Sequence, residues 1–586
     1  MSIKPICAVN SLTWSLYLPE AQAFSDKSSY SGVYLSRESL FLTELLYLSD
    51  KKERLVMEIA SFIARSLKNS GVRFVFGVPG GPSIPLMEAW REEGIPFILT
   101  SHEGASGIMA TVTARISSAP GVCHATFGPG AVNLASGVGA ALLDRSPLIA
   151  FTTEVPDTML ARTTQMKIDH QKLFSAVTKG TWRLTPQNAA EVMTEAIKLA
   201  TGEYPGPVHV GIPSDAGSID IPSTPAGSAG RGKLSTAVRG DIKSKLKGAS
   251  RPVIALGLTA ARRNITHELL SLLERCPMPV VVTPMAKGVI PPSHPCFAGV
   301  LFHAFSDKVE AFAGNSDLII GLGYDEVEFN YDSWVPPGLP IAHFNTVLSD
   351  MPDNYPVVMA TGEPDSWFEI LRCLPESADY MTGRDPASLI NEIGELFGGM
   401  SDRWGPAMVM SRVCEAMPEG ALYSCDVGSH LHMAGQMINI SSPDQMMMTN
   451  GWSSMGFGLP AALAIKLNRP HSEVVAFTGD GGFLMSVGEL LTARRYGLNV
   501  IVVVISDNEL NLIKVKQSWR GVAPYATDII GEDMFGSDRC LGVKVIQAIC
   551  EDSLLAAIEE ARGMSEPVII NARVKGDDYY RMIVRR

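Results

Sequence analysis

Two hydrophobic periods alternate along the chain from Met57 onward. Residues 57–70 place apolar side chains at three- and four-residue intervals, the period of an amphipathic helix. The run Arg73-Phe74-Val75-Phe76-Gly77-Val78 is then almost continuously apolar and stops at Pro79-Gly80-Gly81, which predicts a buried strand closed by a glycine turn. Short strands are predicted in the same way at 98–100, at 123–127 ahead of Gly128-Pro129-Gly130, at 148–151 and at 208–212. A second succession starts at 252–257 and includes 280–282 and 318–323; a third has strands at 421–424, 474–477 and 499–505. Apolar runs this short, separated by helical stretches, are the pattern of parallel sheets covered on both faces. Residues 222–234 are rich in Ser, Pro, Gly and Ala and read as a linker, and the polar stretch 375–388 as a second one. The expected fold class is α/β, with three doubly wound parallel-sheet domains at 53–222, 235–375 and 390–586.

At 586 residues the chain exceeds what one core supports, in keeping with three domains. Hydrophobic content of 46% and charged content of 19% describe a well-packed soluble protein. A net charge of −12 argues against a nucleic-acid partner. No apolar run approaches 18 residues, so no membrane association is expected. Nine cysteines without a C-x-x-C pair read as reduced thiols and a cytoplasmic location. Residues 1–52 differ from the rest. Glu20, Asp26, Glu38 and Glu44 stand there against one arginine, Arg37, unlike an Arg-rich transit peptide. The expectation is a loosely ordered extension, or a start assigned too early with Met57 nearer the true one.

Candidate chemistry enters with Thr478-Gly479-Asp480-Gly481-Gly482-Phe483. Asp507 follows 27 residues later in Ser506-Asp507-Asn508-Glu509. A helix-like stretch and a strand lie between them. That spacing brings two carboxylates to the ends of neighbouring parallel strands, where a hard cation takes its other ligands from phosphate and water. Gly479, Gly481 and Gly482 let backbone N–H groups approach phosphate oxygens. No G-x-G-x-x-G with a following acid appears after a strand, so a dinucleotide oxidoreductase is disfavoured.

Gly-Asp-Gly followed at a fixed gap by Asn or Asp resembles the thiamin-diphosphate fingerprint. The resemblance extends through Ser101-His102-Glu103-Gly104-Ala105, Phe127-Gly128-Pro129-Gly130-Ala131-Val132-Asn133-Leu134, Leu143-Asp144-Arg145-Ser146-Pro147, Ala286-Lys287-Gly288-Val289-Ile290-Pro291 and Met455-Gly456-Phe457-Gly458-Leu459-Pro460-Ala461-Ala462. Together these segments resemble the acetolactate synthase branch of the thiamin-diphosphate enzymes over nearly everything after Met57. The resemblance implies the order pyrimidine-binding, central and diphosphate-binding domain. It implies thiamin diphosphate and Mg²⁺ as cofactors, with Asp480, Asp507 and the backbone carbonyl of Glu509 on the metal. Glu103 matches the carboxylate that bonds the aminopyrimidine and favours its imino form. Gly128 shapes the pocket near Glu103, with Asn133 close by. Met455 matches the apolar wedge that keeps the cofactor bent. Gly428 and His430 match the segment that reaches the diphosphate, with Ser429 where the family often has Gln.

For the substrate pocket the resemblance implies Leu512, Ile513 and Lys516. Lys516 stands where biosynthetic acetohydroxyacid synthases have Trp and some catabolic acetolactate synthases have Gln, and a cation there suits a substrate carboxylate. The family's substrate-contacting Gln corresponds to Gln165, although an ungapped alignment puts Met166 at that position. Gly321-Leu322-Gly323-Tyr324-Asp325-Glu326-Val327-Glu328-Phe329 looks like the flavin-free members, so no tightly bound FAD is expected. The implied activity is a carboligase that decarboxylates a 2-oxo acid, pyruvate, and transfers the acyl-anion equivalent to an acceptor carbonyl. The alternative keeps the cofactor and changes the outcome, as in a 2-oxo-acid decarboxylase or a carboxyethylarginine synthase. The implied assembly is a homodimer or homotetramer with active sites at the subunit interface.

Overall fold

A computed structural model describes residues 56–117, 119–222, 234–347, 357–376, 378–530 and 534–583. The expected extension 1–52 lies outside these residues, as does most of the first expected linker. Val56–Arg586 is one compact unit built on three α/β sheets.

The first sheet has six strands, all parallel, in the order Phe97–Leu99, Val75–Val78, Gly121–Ala125, Leu148–Glu154, Pro207–Pro213, Thr181–Arg183. The second has seven: Phe297–Val300, Val280–Val282, Pro252–Leu256, Leu318–Leu322, Ile341–Asn345, Val357–Thr361 and an antiparallel edge, Ala237–Arg239. The third has seven: Met446–Met447, Leu422–Cys425, Val474–Gly479, Ile501–Ser506, Val568–Arg573, Val543–Ala548 and an antiparallel edge, Arg539–Cys540. The three-sheet α/β class matches the expectation. Central strands such as Leu148–Glu154 and Ile501–Ser506 are buried at every residue, which is why they appear in sequence as unbroken apolar runs.

Each sheet reverses its winding direction beside one of its central strands. In the third sheet the chain leaves Leu422–Cys425 toward one edge, then crosses to Val474–Gly479 on the other side. Ligands of open α/β sheets sit in the crevice beyond the strand C-termini at that reversal. The loops flanking it are Asp426–Gly428 and Gly479–Asp480, with Asp507 one strand further on.

The second linker is shorter than expected. A helix, Pro386–Ser401, begins inside it, because Asp385 accepts a hydrogen bond from Ser388 N at 3.0 Å and Pro386 takes the first helical position. The first and third sheets are joined by a shared apolar core in which the helices Glu103–Ser117 and Gly458–Asn468 meet. No helix among the described residues is long and apolar enough to cross a membrane.

Candidate active site

Asp426 is the hub of the third sheet's crevice. It is fully buried, and its Oδ1 accepts hydrogen bonds from Val427 N at 2.7 Å and Gly456 N at 2.9 Å. Its Oδ2 accepts from Gly458 N at 3.0 Å and Thr478 Oγ1 at 3.4 Å. One side chain thereby ties together the Gly428 loop, the Met455 loop and the strand leading to Asp480. A Cβ on Gly482 would lie 2.8 Å from the Asp426 Cγ, so glycine is required there for the helix Asp480–Ser486 to pack against this carboxylate. No sequence signal had pointed to a role for Asp426.

Asp480 opens its helix and turns its carboxylate toward Asp507. Its Oδ2 accepts from Asp507 N at 3.1 Å and Asn508 N at 2.6 Å, and its Oδ1 from Gly481 N at 2.8 Å. Asp507 accepts from Glu509 N at 3.1 Å and from Asn511 Nδ2 at 2.5 Å. Burial and then the nearby Asp480 charge push the Asp507 carboxyl up to about 7. Two carboxylates that oppose each other's ionisation in a buried crevice are a donor set that a divalent cation relieves. Asn508 adopts φ +62°, and its buried Oδ1 has no partner, a second oxygen beside this pair that the sequence gave no reason to single out. The Glu509 side chain is turned to Lys514 in an ion pair, which leaves only its backbone to serve the site.

The residues expected at the diphosphate carry buried polar atoms without hydrogen-bond partners. His430 is buried with its Nε2 unpartnered, and the Oγ of Ser429 is likewise buried and unpartnered. Burial pushes His430 down to about 4, opposed by a bond to the Asp426 backbone. Cβ atoms on Gly428 and Gly479 would meet the His430 ring at 2.7 and 3.2 Å, so both glycines make room for it. Met455 lies against Gly481, where a Cβ would meet its Cε at 3.0 Å. Orphaned polar atoms beside paired carboxylates fit a diphosphate held through a cation.

Glu103 sits at the start of its helix, 9% exposed, in the first domain. Its Oε2 accepts from Asn133 Nδ2 at 3.1 Å, and Gly130 lies against its Oε1. Gly128 adopts φ +69°, the left-handed region, and its N–H meets His170 Nε2 at 3.4 Å. Behind it runs a polar chain: Thr152 Oγ1 lies 2.8 Å from both His170 Nδ1 and His209 Nε2, and Thr181 Oγ1 is 2.8 Å from His209 Nδ1. Glu154 joins these two histidines in a cluster of metal-like spacing. Its oxygens are held by Gln171 and Arg183, so the cluster reads as a support for the Gly128 loop. Within one chain, Glu489 links the Glu103 loop to the third domain by accepting from Ser101 N and His102 N, each at 3.0 Å. A cavity of about 180 Å³ between Ser101, Gly104 and Ala105 and Met455 and Gly456 lies at this junction.

Leu512 and Lys516 share one face of the helix Asn511–Trp519 and line a cavity of about 530 Å³ that reaches Gly428. Ile513 points elsewhere and is 46% exposed in the single chain. Gln165 is exposed too, and it is Met166, at φ +58°, whose backbone carbonyl abuts Gly128.

In the central domain, a buried carboxylate sits beside Gly257 and Gly323. Glu328 accepts from Leu258 N at 3.1 Å, Met285 N at 2.9 Å and Thr283 Oγ1 at 2.7 Å. These donors are the ones a dinucleotide phosphate would need.

Three family models match in order along the chain. The thiamine pyrophosphate enzyme N-terminal TPP binding domain matches residues 57–173, the central domain 241–364 and the C-terminal TPP binding domain 426–572. The chain belongs to the thiamine pyrophosphate enzymes. Within that class it is acetolactate synthase-like. It is 28% identical over 543 residues to a probable acetolactate synthase large subunit of Methanocaldococcus jannaschii, covering 88% of this chain and 91% of that one. It is 27% identical to the acetolactate synthase isozyme 1 large subunit of Escherichia coli K12, covering 89% and 94%. It is 24% identical to an acetolactate synthase of Bacillus subtilis, covering 89% and 93%.

Proposed function

We propose that the protein is a Mg²⁺-dependent carboligase that decarboxylates pyruvate and joins the two-carbon unit to an acceptor carbonyl, a second pyruvate in the simplest case. When bound, thiamin diphosphate supplies the electron sink for decarboxylation and the carbon nucleophile for the acceptor. The chain's residues bind, orient and control protons. Asp480, Asp507 and the Glu509 carbonyl hold the cation. His430, with Gly428, Gly479, Gly481 and Gly482 around it, would meet the diphosphate through its buried, unpartnered Nε2. Met455 would pack against the bound cofactor. Glu103, oriented by Asn133, holds the proton at the aminopyrimidine. Leu512, Ile513, Lys516 and Gln165 belong to the substrate side.

The observation that carries this reading is the convergence, around Asp426, of two mutually opposed carboxylates with buried, unpartnered Ser429, His430 and Asn508 atoms. The active assembly is proposed to be a homodimer or homotetramer, with Glu103 of one subunit serving the diphosphate loops of another. No flavin is proposed, because Glu328 takes up the central crevice's donors; a purified chain with a stoichiometric flavin band would overturn that. Incubation with pyruvate, thiamin diphosphate and Mg²⁺, read by mass spectrometry, tests the activity. Acetolactate supports the carboligase. Acetaldehyde alone supports the second reading, a decarboxylase or a ligase with another acceptor, which the cation at Lys516 favours. Absence of CO₂ release from any 2-oxo acid overturns both.

A further inference from the structure

The cavity beside Gly428 carries more positive charge than pyruvate needs. It is lined by Lys516, Arg520, Asn450, His432 and Ser453, among apolar walls that include Leu512 and Trp519. No Asp or Glu lines it, although the chain as a whole carries −12. Lys516 and Arg520 stand one helical turn apart, and neither has an ion pair or side-chain hydrogen bond among the described residues. The nearby Lys514 differs, since it is paired with Glu509. Asn450 is 6% exposed; its Oδ1 faces His303 Nε2 at 3.2 Å, while its Nδ2 has no partner. Cations in a last helical turn are favoured by the helix dipole alone. The dipole does not account for an acid-free cavity, nor for a buried amide donor left without an acceptor in its wall.

Pyruvate offers one carboxylate, and its carbonyl has to lie at the cofactor end of the cavity, beside Gly428. One turn, about 6 Å, separates Leu512 from Lys516, and Arg520 lies a further turn away. We infer that this enzyme takes a 2-oxo acid bearing a second anionic group, a 2-oxo dicarboxylate of four or five carbons, whose distal carboxylate is held by Lys516 and Arg520 with Asn450 as the neutral donor. Charge-assisted hydrogen bonds from a guanidinium and an ammonium are the usual means of selecting such a group. The inference rests on the carboligase reading. It concerns which acid enters that site as donor or acceptor.

The test compares 2-oxoglutarate with 2-oxopentanoate, which has the same chain length and lacks the second charge. Each is supplied alone and with pyruvate, to the Mg²⁺- and thiamin diphosphate-loaded enzyme. CO₂ release reports donor use, and mass spectrometry of the adduct reports acceptor use. The expected result is a kcat/KM at least tenfold higher for the dicarboxylate in one of the two roles, carried mainly by KM and weakened by added salt. Lys516→Met and Arg520→Met should each collapse that ratio, and Arg520→Lys should restore most of it. Quenching of Trp519 fluorescence by glutarate, absent with pentanoate and absent in Trp519→Phe, gives a binding readout independent of turnover. Equal or better use of 2-oxopentanoate, with CO₂ still released, overturns the inference and leaves the carboligase standing. No CO₂ from any 2-oxo acid, with glutarate still quenching Trp519, places the failure in the carboligase reading.

Discussion

Adding one methyl group at Gly482 should damage the proposed cation site without touching a proposed ligand. In Gly482→Ala the new Cβ lies 2.8 Å from the Asp426 Cγ and Oδ1 and 2.9 Å from its Oδ2. Ordinary contact begins at 3.4 Å, so the two must part by about 0.6 Å. Asp426 cannot retreat freely, because four donors from three segments hold it. The helix Asp480–Ser486 therefore moves, and Asp480, two residues before the substitution, moves with it. Overpacking of this kind costs about 1–3 kcal/mol of stability. Mg²⁺ requires near-octahedral oxygens at about 2.0–2.1 Å, so a displacement of that size is incompatible with its coordination. Thiamin diphosphate affinity at fixed Mg²⁺ should fall at least about tenfold, or 1.4 kcal/mol, measured by isothermal titration calorimetry beside urea unfolding. Gly481→Ala is the control: its new Cβ meets the ends of Met455, Ile529 and Leu510 at 3.0–3.2 Å, all flexible side chains, and should cost less. A Gly482→Ala protein that binds the cofactor within twofold of wild type and unfolds at the same urea midpoint would refute the reasoning.

Other expectations follow from the same geometry. Glu103→Gln keeps the bond to Asn133 and removes the negative charge, so CO₂ release should slow by about 10²- to 10⁴-fold while cofactor affinity changes little; a loss under tenfold would count against a proton-holding role. Burial raises Glu328 from 4.5 to about 7, against bonds from Thr283, Met285 and Leu258. Its folded form thus keeps a proton that the unfolded chain releases. The stability this contributes is full below pH 4.5 and lost as pH rises to about 7, a difference of about 3 kcal/mol. Glu328→Gln should flatten that decline in urea unfolding measured across pH 4.5–7, and parallel curves would contradict it.

Much of this arrangement was legible in the sequence because it depends on local spacing. Strands buried on both faces announce themselves as apolar runs, and the 27-residue step from Asp480 to Asp507 is one strand-helix-strand crossover. Other strands were hidden. Val543–Ala548 mixes buried and half-exposed residues, so it has no clean run. Phe297–Val300 contains Gly299 at φ +102° and a register shift against its neighbour, which breaks the pattern. His343 interrupts Ile341–Asn345 and is accommodated there with a bond to Tyr331 Oη at 3.1 Å. The roles of Asp426, Ser429 and Asn508 were illegible for a different reason. They depend on which atoms meet, and which are left without partners, after three distant segments converge. The glycine at 482 was read as an approach for phosphate, and the packed Asp426 carboxylate adds a second demand for glycine that the sequence did not reveal. Met166 came to lie against Gly128 through a left-handed backbone that no propensity favours.

Cofactor uptake with and without a divalent cation bears most directly on the site beyond the third sheet. Thiamin diphosphate is titrated calorimetrically into metal-stripped protein, first with excess Mg²⁺, then with a chelator, then with Mg²⁺ and the Asp507→Asn variant. Binding should approach about one cofactor per chain with Mg²⁺, disappear with the chelator, and weaken at least about tenfold in the variant. Equal uptake with and without the chelator, or no uptake with Mg²⁺ present, would contradict the assignment of Asp480 and Asp507 to a cation that anchors the diphosphate.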